Sequence, residues 1–386
     1  MAGYLFSLDS IDSLMNCIDK GTYSTRLSLP SGGLWKIHHE GTFADYSSMA
    51  EGDNVYFFIK RKIYGIGILI NISGECKFLN YPKANYPDTP DYDTIKSKLI
   101  LDNGSKESLQ YRFVCTFKPS PYFFKDGIDM DETLASAPNQ FKILRAFWKL
   151  SFIKFSDEEN QAFKNIILRR NIEVINNSSI INTIQSDFVK SHLQIEALVS
   201  NNSDYRLTTV PFLNNINNPN GSLKHEMAIE ASLIHQLTNL EENAVEVFGK
   251  WDYLTHQIIA SPFKPIDYMD KMDIFGYKYI KNQKPTISNF LVIEIKKGQV
   301  EVQDVMQLMK YVDWIKNEYT YGDYSMINAF LLGHSYTQEA IDTYQDIVER
   351  KYINGVRPSV SKTWNNVRLV TYNFDITKEN LIYEII

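Results

Sequence analysis

The sequence predicts an α/β protein of two domains, and three observations support this prediction. A chain of 386 residues, 44% of them hydrophobic, can bury more than one core. Its first part is rich in aromatic and β-branched segments separated by turn residues, which is typical of an antiparallel sheet. Its last part alternates apolar strands with segments of helical periodicity, which is typical of a mixed sheet flanked by helices. We therefore expect domains at residues 1–170 and 205–386, joined by a linker at 171–204.

The strands predicted in the first domain are short and aromatic. They cover residues 35–38, 54–60, 63–70 and 111–117. Gly52 and Asp53 precede the second strand, and Ser73 and Gly74 follow the third, so turns separate them. This pattern predicts a small closed or half-closed antiparallel barrel accompanied by helices.

Helices and strands alternate in the second domain. The segment before it is rich in Asn, Ser and Ile and predicts a linker that contains one short helix. The predicted helices cover residues 224–237 and 338–352, with a further helix around 307–311, and the predicted strands cover 272–275, 291–296, 328–334 and 367–372. The alternation predicts an α/β core.

Two acids and a lysine fall on adjacent predicted strands of this domain. Glu294 and Lys296 are two residues apart in an apolar strand, so both side chains project from the same face. If Asp273 lies on the preceding antiparallel strand, its carboxylate can reach Glu294 and share a hard cation. Mg²⁺, or Mn²⁺ in its place, neutralises the charge that develops during phosphodiester hydrolysis, and a neighbouring lysine can hold the attacking water. The pattern predicts a metal-dependent phosphodiesterase site.

These residues resemble the signature of the PD-(D/E)XK nuclease superfamily, in which an acid precedes a (D/E)-x-K triplet. Asp273 matches the first acid, and Glu294-Ile295-Lys296 matches the triplet. Gln307 and Tyr311 resemble the Q-x-x-x-Y helix of the RecB-like branch. The resemblance implies a restriction-endonuclease-like mixed sheet, Mg²⁺-dependent cleavage of DNA, and a role for Gln307 and Tyr311 in bracing the lysine or contacting the phosphate backbone.

The superfamily also places an acid on a helix before the core sheet, and the sequence leaves alternatives for two of the acids. Glu230 is preferred as the helix acid because of its position beside the apolar face, and Glu226 is its alternative. Asp270 and Asp267 are alternatives to Asp273, which is preferred for its strand-like neighbours. The expected metal ligands are therefore Asp273, Glu294 and Glu230.

The first domain resembles PUA-like barrels, particularly EVE-type domains. The resemblance rests on Gly52-Asp53, the strand that follows it, and the glycine-containing strand at 63–70. It implies a reader of modified or flipped bases, because ring stacking and hydrogen bonds to a base edge discriminate between bases. Trp35, Asp45 and Tyr46 are the candidate residues of this nucleic-acid-binding pocket.

Composition limits the class of protein without deciding its partner. The net charge is −6, and the excess of acids lies after residue 170, so a nucleic-acid-binding surface would have to be a local basic groove. The cysteines Cys17, Cys76 and Cys115 include no C-x-x-C pair, which argues against a disulfide framework or a zinc ribbon. No basic segment precedes an apolar core at the amino terminus, and Lys60-Arg61-Lys62 interrupts the apolar run around it. We expect a cytoplasmic protein that does not enter a membrane.

The sequence thus predicts a Mg²⁺-dependent endodeoxyribonuclease, directed at modified bases in restriction or phage defence. Two alternatives remain, a catalytically inactive nucleic-acid-binding module and a DNA repair nuclease. RNA stays an alternative substrate, and cleavage of both strands would favour a homodimer.

Overall fold

The structure is a computed structural model that describes residues 1–30, 32–119, 127–142, 152–176, 179–200, 202–260 and 270–386. The chain divides into two units. The first unit comprises Met1–Trp35 and Asp45–Thr208, and the second comprises Lys36–Ala44 and Thr209–Ile386. A short early segment therefore belongs with the C-terminal half of the chain, which the sequence did not indicate.

The first unit combines a sheet with helices. Its strands are β1 Gly3–Ser7, β2 Thr22–Arg26, β3 Asn54–Ile59, β4 Lys62–Leu69, β5 Lys77–Leu79, β6 Tyr111–Pro119, β7 Ile128–Asp129 and β8 Phe152–Phe155. Its helices are α1 Ile11–Lys20, α2 Ile37–Ser47, of which the residues up to Ala44 are grouped with the second unit, α3 Tyr92–Ile95, α4 Met130–Ser136, α5 Asp157–Arg170, α6 Ile172–Ile175 and α7 Ser179–Val199.

The sheet of the first unit has the order β2-β6-β4-β3-β1-β8, with β5 and β7 paired at its side. It is mixed, because β1 pairs with β3 in parallel, whereas the sequence predicted an antiparallel barrel. The predicted strands at 54–60, 63–70 and 111–117 are confirmed. The strand predicted at 35–38 is wrong, because helix α2 begins at Ile37.

The segment expected as a linker has more regular structure than the sequence indicated. Helix α7 covers 21 residues of it and packs against α1 and β6 of the first unit. Its apolar residues Ile195 and Val199 are buried with Phe78. The polar Asn and Ser residues around this helix masked its apolar face in the sequence.

The second unit is built on a six-stranded sheet. The strands of the whole unit are β9 Tyr253–Ile259, β10 Lys271–Tyr279, β11 Ile287–Ile295, β12 Gln299–Val300, β13 Ile327–Gly333, β14 Ser335–Tyr336, β15 Arg350–Asn354, β16 Val360–Trp364, β17 Val367–Asp375 and β18 Asn380–Ile385. Its helices are α8 Val210–Ile216, α9 Glu226–Thr238, α10 Glu242–Phe248, α11 Val302–Glu318 and α12 Gln338–Val348.

The main sheet of this unit has the order β18-β17-β13-β11-β10-β9. Strands β9, β10 and β11 pair antiparallel, whereas β11, β13 and β17 pair in parallel through crossovers that contain α11 and α12. Helix α11 packs on β11 and β13, and α9 packs on β9, β10 and β11. The predicted α/β class is confirmed, and β11, whose Leu291 to Ile293 are buried, lies at the centre of the sheet.

None of the described helices is both long enough and apolar enough to cross a membrane.

Candidate active site

The site begins at the antiparallel pair β10 and β11. Ile274 pairs with Ile293, so the neighbouring residues Asp273 and Glu294 lie side by side on the two strands. The Oδ2 atom of Asp273 accepts a hydrogen bond of 2.8 Å from the backbone N–H of Ile295. The structure thus holds the two predicted carboxylates next to each other at the end of β11.

Lys296 follows β11 directly. Its backbone N–H donates to the carbonyl oxygen of Leu332 on β13 at 2.8 Å, which fixes the main chain. Its Nζ atom donates to Glu294 Oε1 at 2.8 Å and to Gln307 Oε1 at 3.4 Å. Asp304 Oδ1 lies 3.6 Å from the same Nζ atom. The ammonium group is therefore held between β11 and helix α11.

Helix α9 brings a third acid to this pair. Glu230 is 2% exposed, and both of its carboxylate oxygens accept hydrogen bonds of 3.0 Å from Gln257 Nε2. The same Nε2 atom donates to Asp273 Oδ1 at 3.3 Å. Glu230 is therefore linked to Asp273 through one amide group.

Sequence reasoning missed Gln257, which lies on β9 beside β10. Its backbone φ of 54° falls in the left-handed region, which is strained for a residue with a side chain. Strain at such a position persists where the surrounding structure holds it, as in functional sites. No local sequence signal marks a glutamine within a strand, and only the pairing of β9 with β10 brings it to the acids.

Burial and mutual repulsion raise the pKa values of the acids. Burial raises the pKa of Asp273 well above its usual range, and the charges of Glu294 and Glu230 add to the effect. Burial also raises the pKa of Glu294 to about 7, although Lys296 opposes it. Burial would lower the pKa of Lys296, but the attraction of Glu294 raises it above the ordinary value. The lysine is thus protonated at neutral pH, and ionisation of Asp273 and Glu294 is costly at this site.

The donor chemistry of the cluster fits a hard divalent cation. Carboxylate oxygens are the ligands that Mg²⁺ and Mn²⁺ prefer, and Glu294 Oε2 is buried without a hydrogen-bond partner in the described part of the chain. In the conformation described, however, no three His, Cys, Asp or Glu side chains of the described residues are arranged to hold a metal ion. The Gln257 amide lies between Glu230 and Asp273 and donates to both.

The alternative acids have other surroundings. Glu226 is exposed on the first turn of α9, and its Oε1 accepts a hydrogen bond of 3.2 Å from the backbone N–H of Lys297. Asp270 is half-buried just before β10, and its charge contributes to raising the pKa of Tyr311. Asp267 lies outside the described residues. The structure therefore brings together Asp273, Glu294 and Glu230 rather than the alternatives.

Gln307 and Tyr311 form a second layer behind the lysine. Gln307 Nε2 donates to the Tyr311 hydroxyl at 2.9 Å, while its Oε1 accepts from Lys296. Tyr311 is 1% exposed, so the expected contact with nucleic acid has no surface through which to act. Within the described residues, the Tyr311 hydroxyl instead accepts a hydrogen bond from Gln307.

The aromatic pocket expected in the first unit is not formed by the predicted residues. Trp35 is 3% exposed, and its indole N–H donates to the carbonyl oxygen of Asn85 at 2.9 Å. Tyr46 is fully buried, and its hydroxyl accepts from the backbone N–H of Thr25 at 3.0 Å. Asp45 is half-buried. Both aromatic side chains are core residues, because an apolar ring with a satisfied polar atom is stable in the interior.

A polar cavity does occur elsewhere in the first unit. Its volume is about 390 Å³. Residues of β1, α1, β2 and the loop before β6 line it, among them Asp9, Lys20, Thr22, Arg26 and Asp102. The Oγ1 atom of Thr22 is buried without a hydrogen-bond partner in the described part of the chain.

Comparison with known proteins gives limited similarity. No protein-family model and no curated protein matches the chain. A repair endonuclease from Pyrococcus abyssi matches over 29% of this chain and 42% of its own, with 23% identity and a TM-score of 0.20. A complex of EndoMS with double-stranded DNA matches over 22% of this chain and 30% of the other, with 25% identity and a TM-score of 0.16. In both cases the match spans less than half the length of the other chain.

Proposed function

We propose that the second unit is a metal-dependent endonuclease that hydrolyses phosphodiester bonds of DNA. The observation that carries the proposal is the cluster in which Asp273, Glu294 and Glu230 lie together and Lys296 contacts Glu294 at 2.8 Å. Two buried acids and one half-buried acid beside a protonated lysine are a costly arrangement for stability alone. They are the groups that phosphodiester hydrolysis with Mg²⁺ requires, and they match the PD-(D/E)XK pattern.

In this proposal Asp273, Glu294 and Glu230 hold Mg²⁺, for which Mn²⁺ can substitute. The bound ion would neutralise charge on the phosphate oxygens. Lys296, whose Nζ lies 2.8 Å from Glu294, would orient the attacking water and stabilise the negative charge that develops on the phosphate. Gln307 accepts a hydrogen bond from Nζ and, held by Tyr311, keeps the ammonium group in place.

The first unit would select the DNA in this proposal. We base that role on the polar cavity of about 390 Å³, which Lys20, Thr22 and Arg26 line, because the two basic side chains can contact a phosphate. Lys20→Ala and Thr22→Val proteins should bind modified-base DNA more weakly than the wild type in fluorescence polarisation, while cleavage of a saturating plasmid is kept. Equal binding by both variants would remove the cavity from the proposal.

The proposal is tested by incubating the protein with unmodified plasmid DNA and with modified-base phage DNA in Mg²⁺. Asp273→Ala and Lys296→Ala proteins are run beside the wild type, and Asp346→Ala, which alters an exposed acid of α12, is the matched control. We expect the wild type and the control to cut and the two site variants not to cut. Preference for phage DNA would support restriction, and preference for mismatched or damaged duplexes would support repair. Binding without cleavage of either DNA would favour an inactive binding module or an RNA substrate.

A further inference from the structure

A further buried carboxylate lies in the second unit, far from the predicted site residues in the sequence. Glu40 is 1% exposed on α2, within the segment Lys36–Ala44 that belongs to this unit. Its Oε1 atom lies 2.7 Å from Nδ1 of His225. Its Oε2 atom is buried and has no hydrogen-bond partner in the described part of the chain. One of the two carboxylate oxygens of Glu40 thus accepts no hydrogen bond from the described residues, which is costly for a buried group.

The packing of α2 places Glu40 at the start of the helix that carries Glu230. His225 is the residue before α9, and it provides no side-chain cap of its own. A Cβ atom on Gly41 would lie 3.5 Å from Met227 Sδ and 3.8 Å from His256 Cε1. Helix α2 therefore packs closely over the first turn of α9 and over β9.

His256, which α2 contacts, also lies next to the cluster of Glu230, Asp273 and Glu294. Nδ1 of His256 lies 3.5 Å from Glu230 Oε2. Burial raises the pKa of Glu40; His225 opposes this shift, and the charge of Glu230 adds to it. The charge of Glu230 thus acts on Glu40 in the interior, where charges are weakly screened.

The cluster around Glu40 has more negative than positive charge. Glu40, Glu230, Asp273 and Glu294 all lie in the interior or at its edge, and among the described residues Lys296 forms an ion pair with Glu294. His225 can offset the charge of Glu40 in part when it is protonated. A divalent cation held by the other three acids would reduce the repulsion between Glu230 and Glu40.

We propose that Glu40 is a positioning residue of the metal site, whose negative charge increases the affinity of the Glu230, Asp273 and Glu294 cluster for a divalent cation. This inference rests on the proposed function, because it concerns the same cation. Glu40 acts on the ion through the field of its carboxylate and through the helix start that it holds with His225. The early segment Lys36–Ala44 thereby contributes to the proposed metal site.

The test is calorimetric titration of the full-length protein with Mn²⁺, which measures affinity without cleavage. Glu40→Gln keeps the size of the side chain and removes its charge, and it should weaken Mn²⁺ binding by about tenfold. Glu40→Asp, which keeps the charge, should bind Mn²⁺ more tightly than Glu40→Gln. Glu40→Ala is a second neutral variant, and thermal melting checks that each protein folds.

The matched control is Glu241→Gln, which neutralises an acid of the same unit that accepts a hydrogen bond from Asn380 at 2.7 Å. It should bind Mn²⁺ as the wild type does. In cleavage assays Glu40→Gln should need about tenfold more Mg²⁺ for half-maximal rate, with a smaller change in the rate at saturation.

The outcomes separate this inference from the proposed function. Mn²⁺ binding by Glu40→Gln and Glu40→Ala within twofold of the wild type would overturn the role of Glu40 and leave the nuclease proposal intact. Equal weakening in Glu40→Asp and Glu40→Gln would assign the effect to shape and also overturn it. A wild-type protein that binds no Mn²⁺ would overturn the metal site and, with it, the role of Glu40.

Discussion

Both units bury carboxylates, but they surround them differently. In the first unit Asp53 is buried, with Oδ1 accepting from the backbone N–H of Ala2 at 2.8 Å and Oδ2 from that of Ala50 at 3.3 Å. In the second unit Glu294 is equally buried, but Lys296 contacts one of its oxygens and the other has no hydrogen-bond partner in the described part of the chain. A buried acid with both oxygens bonded stabilises the fold, whereas one with a free oxygen among other acids is suited to a ligand.

The largest effect should follow from removing the charge of an acid in the second unit. Asp273→Asn should lower the cleavage rate at least 100-fold, the scale of a lost transition-state contact, without lowering the melting temperature. The variant keeps an oxygen that can accept from Ile295 and relieves repulsion by Glu294 and Glu230. Cleavage assays and thermal melting measure the two quantities. If Asp273→Asn is active, or melts well below the wild type, Asp273 does not differ from Asp53 in having a functional rather than a structural role.

The corresponding change in the first unit should act on stability instead. Asp53→Ala leaves the backbone N–H groups of Ala2 and Ala50 without their acceptor, which should lower the free energy of unfolding by about 2–3 kcal/mol. Urea unfolding followed by circular dichroism measures it. Cleavage at a temperature where the variant is folded should equal that of the wild type, and a loss of activity there would contradict the structural role.

The pH dependence of stability should distinguish Glu294 from an acid that only holds the fold. The pKa of Glu294 is about 7 in the folded chain, against 4.5 for an unperturbed glutamate. The folded state therefore favours the protonated form, and this contribution to stability is present below pH 4.5 and lost as the pH rises to about 7. The melting temperature of the wild type relative to that of Glu294→Gln should fall over this range.

Divalent cations sharpen the same measurement. At pH 8, Mn²⁺ should raise the melting temperature of the wild type, because the cation binds ionised carboxylates of the folded state. At pH 5 the rise should be smaller, since protons compete for the same oxygens. If the melting temperatures of the wild type and Glu294→Gln change in parallel across the pH range, the raised pKa of Glu294 is contradicted.

The smallest effect should come from the layer behind the lysine. Tyr311→Phe removes the hydroxyl that accepts from Gln307 at 2.9 Å, so Gln307 holds Lys296 less firmly. We expect the cleavage rate to fall by about tenfold or less, with little change in DNA affinity because Tyr311 is buried. A large loss of DNA binding in fluorescence polarisation, with the rate at saturating DNA unchanged, would instead support a nucleic-acid contact.

The parts of the site that could be predicted depend on local geometry. Glu294 and Lys296 share a face because side chains alternate along a strand, and Asp273 meets them because two neighbouring strands pair in a hairpin. Gln307 and Tyr311 are one helical turn apart, so their contact also follows from local structure. These contacts can be predicted without knowledge of the rest of the chain.

Other features could not be predicted because they depend on packing between distant segments. Trp35 and Tyr46 were expected in a nucleic-acid-binding pocket, but whether such a ring lies in a pocket or in the core is decided by the elements that cover it. Helix α7 was hidden by its polar neighbours, since its apolar residues Ile195 and Val199 are buried only by packing against segments distant in sequence, such as Phe78.

The sequence by itself determined the α/β class, the strand pair and the spacing of Asp273, Glu294 and Lys296, because periodicity and chain connectivity act over a few residues. Only the tertiary structure decided that Glu230 faces them, that Gln257 bridges two of the acids and that Glu40 lies at the start of α9. The physical reason is that charges interact through space, and folding brings together groups that the chain keeps far apart.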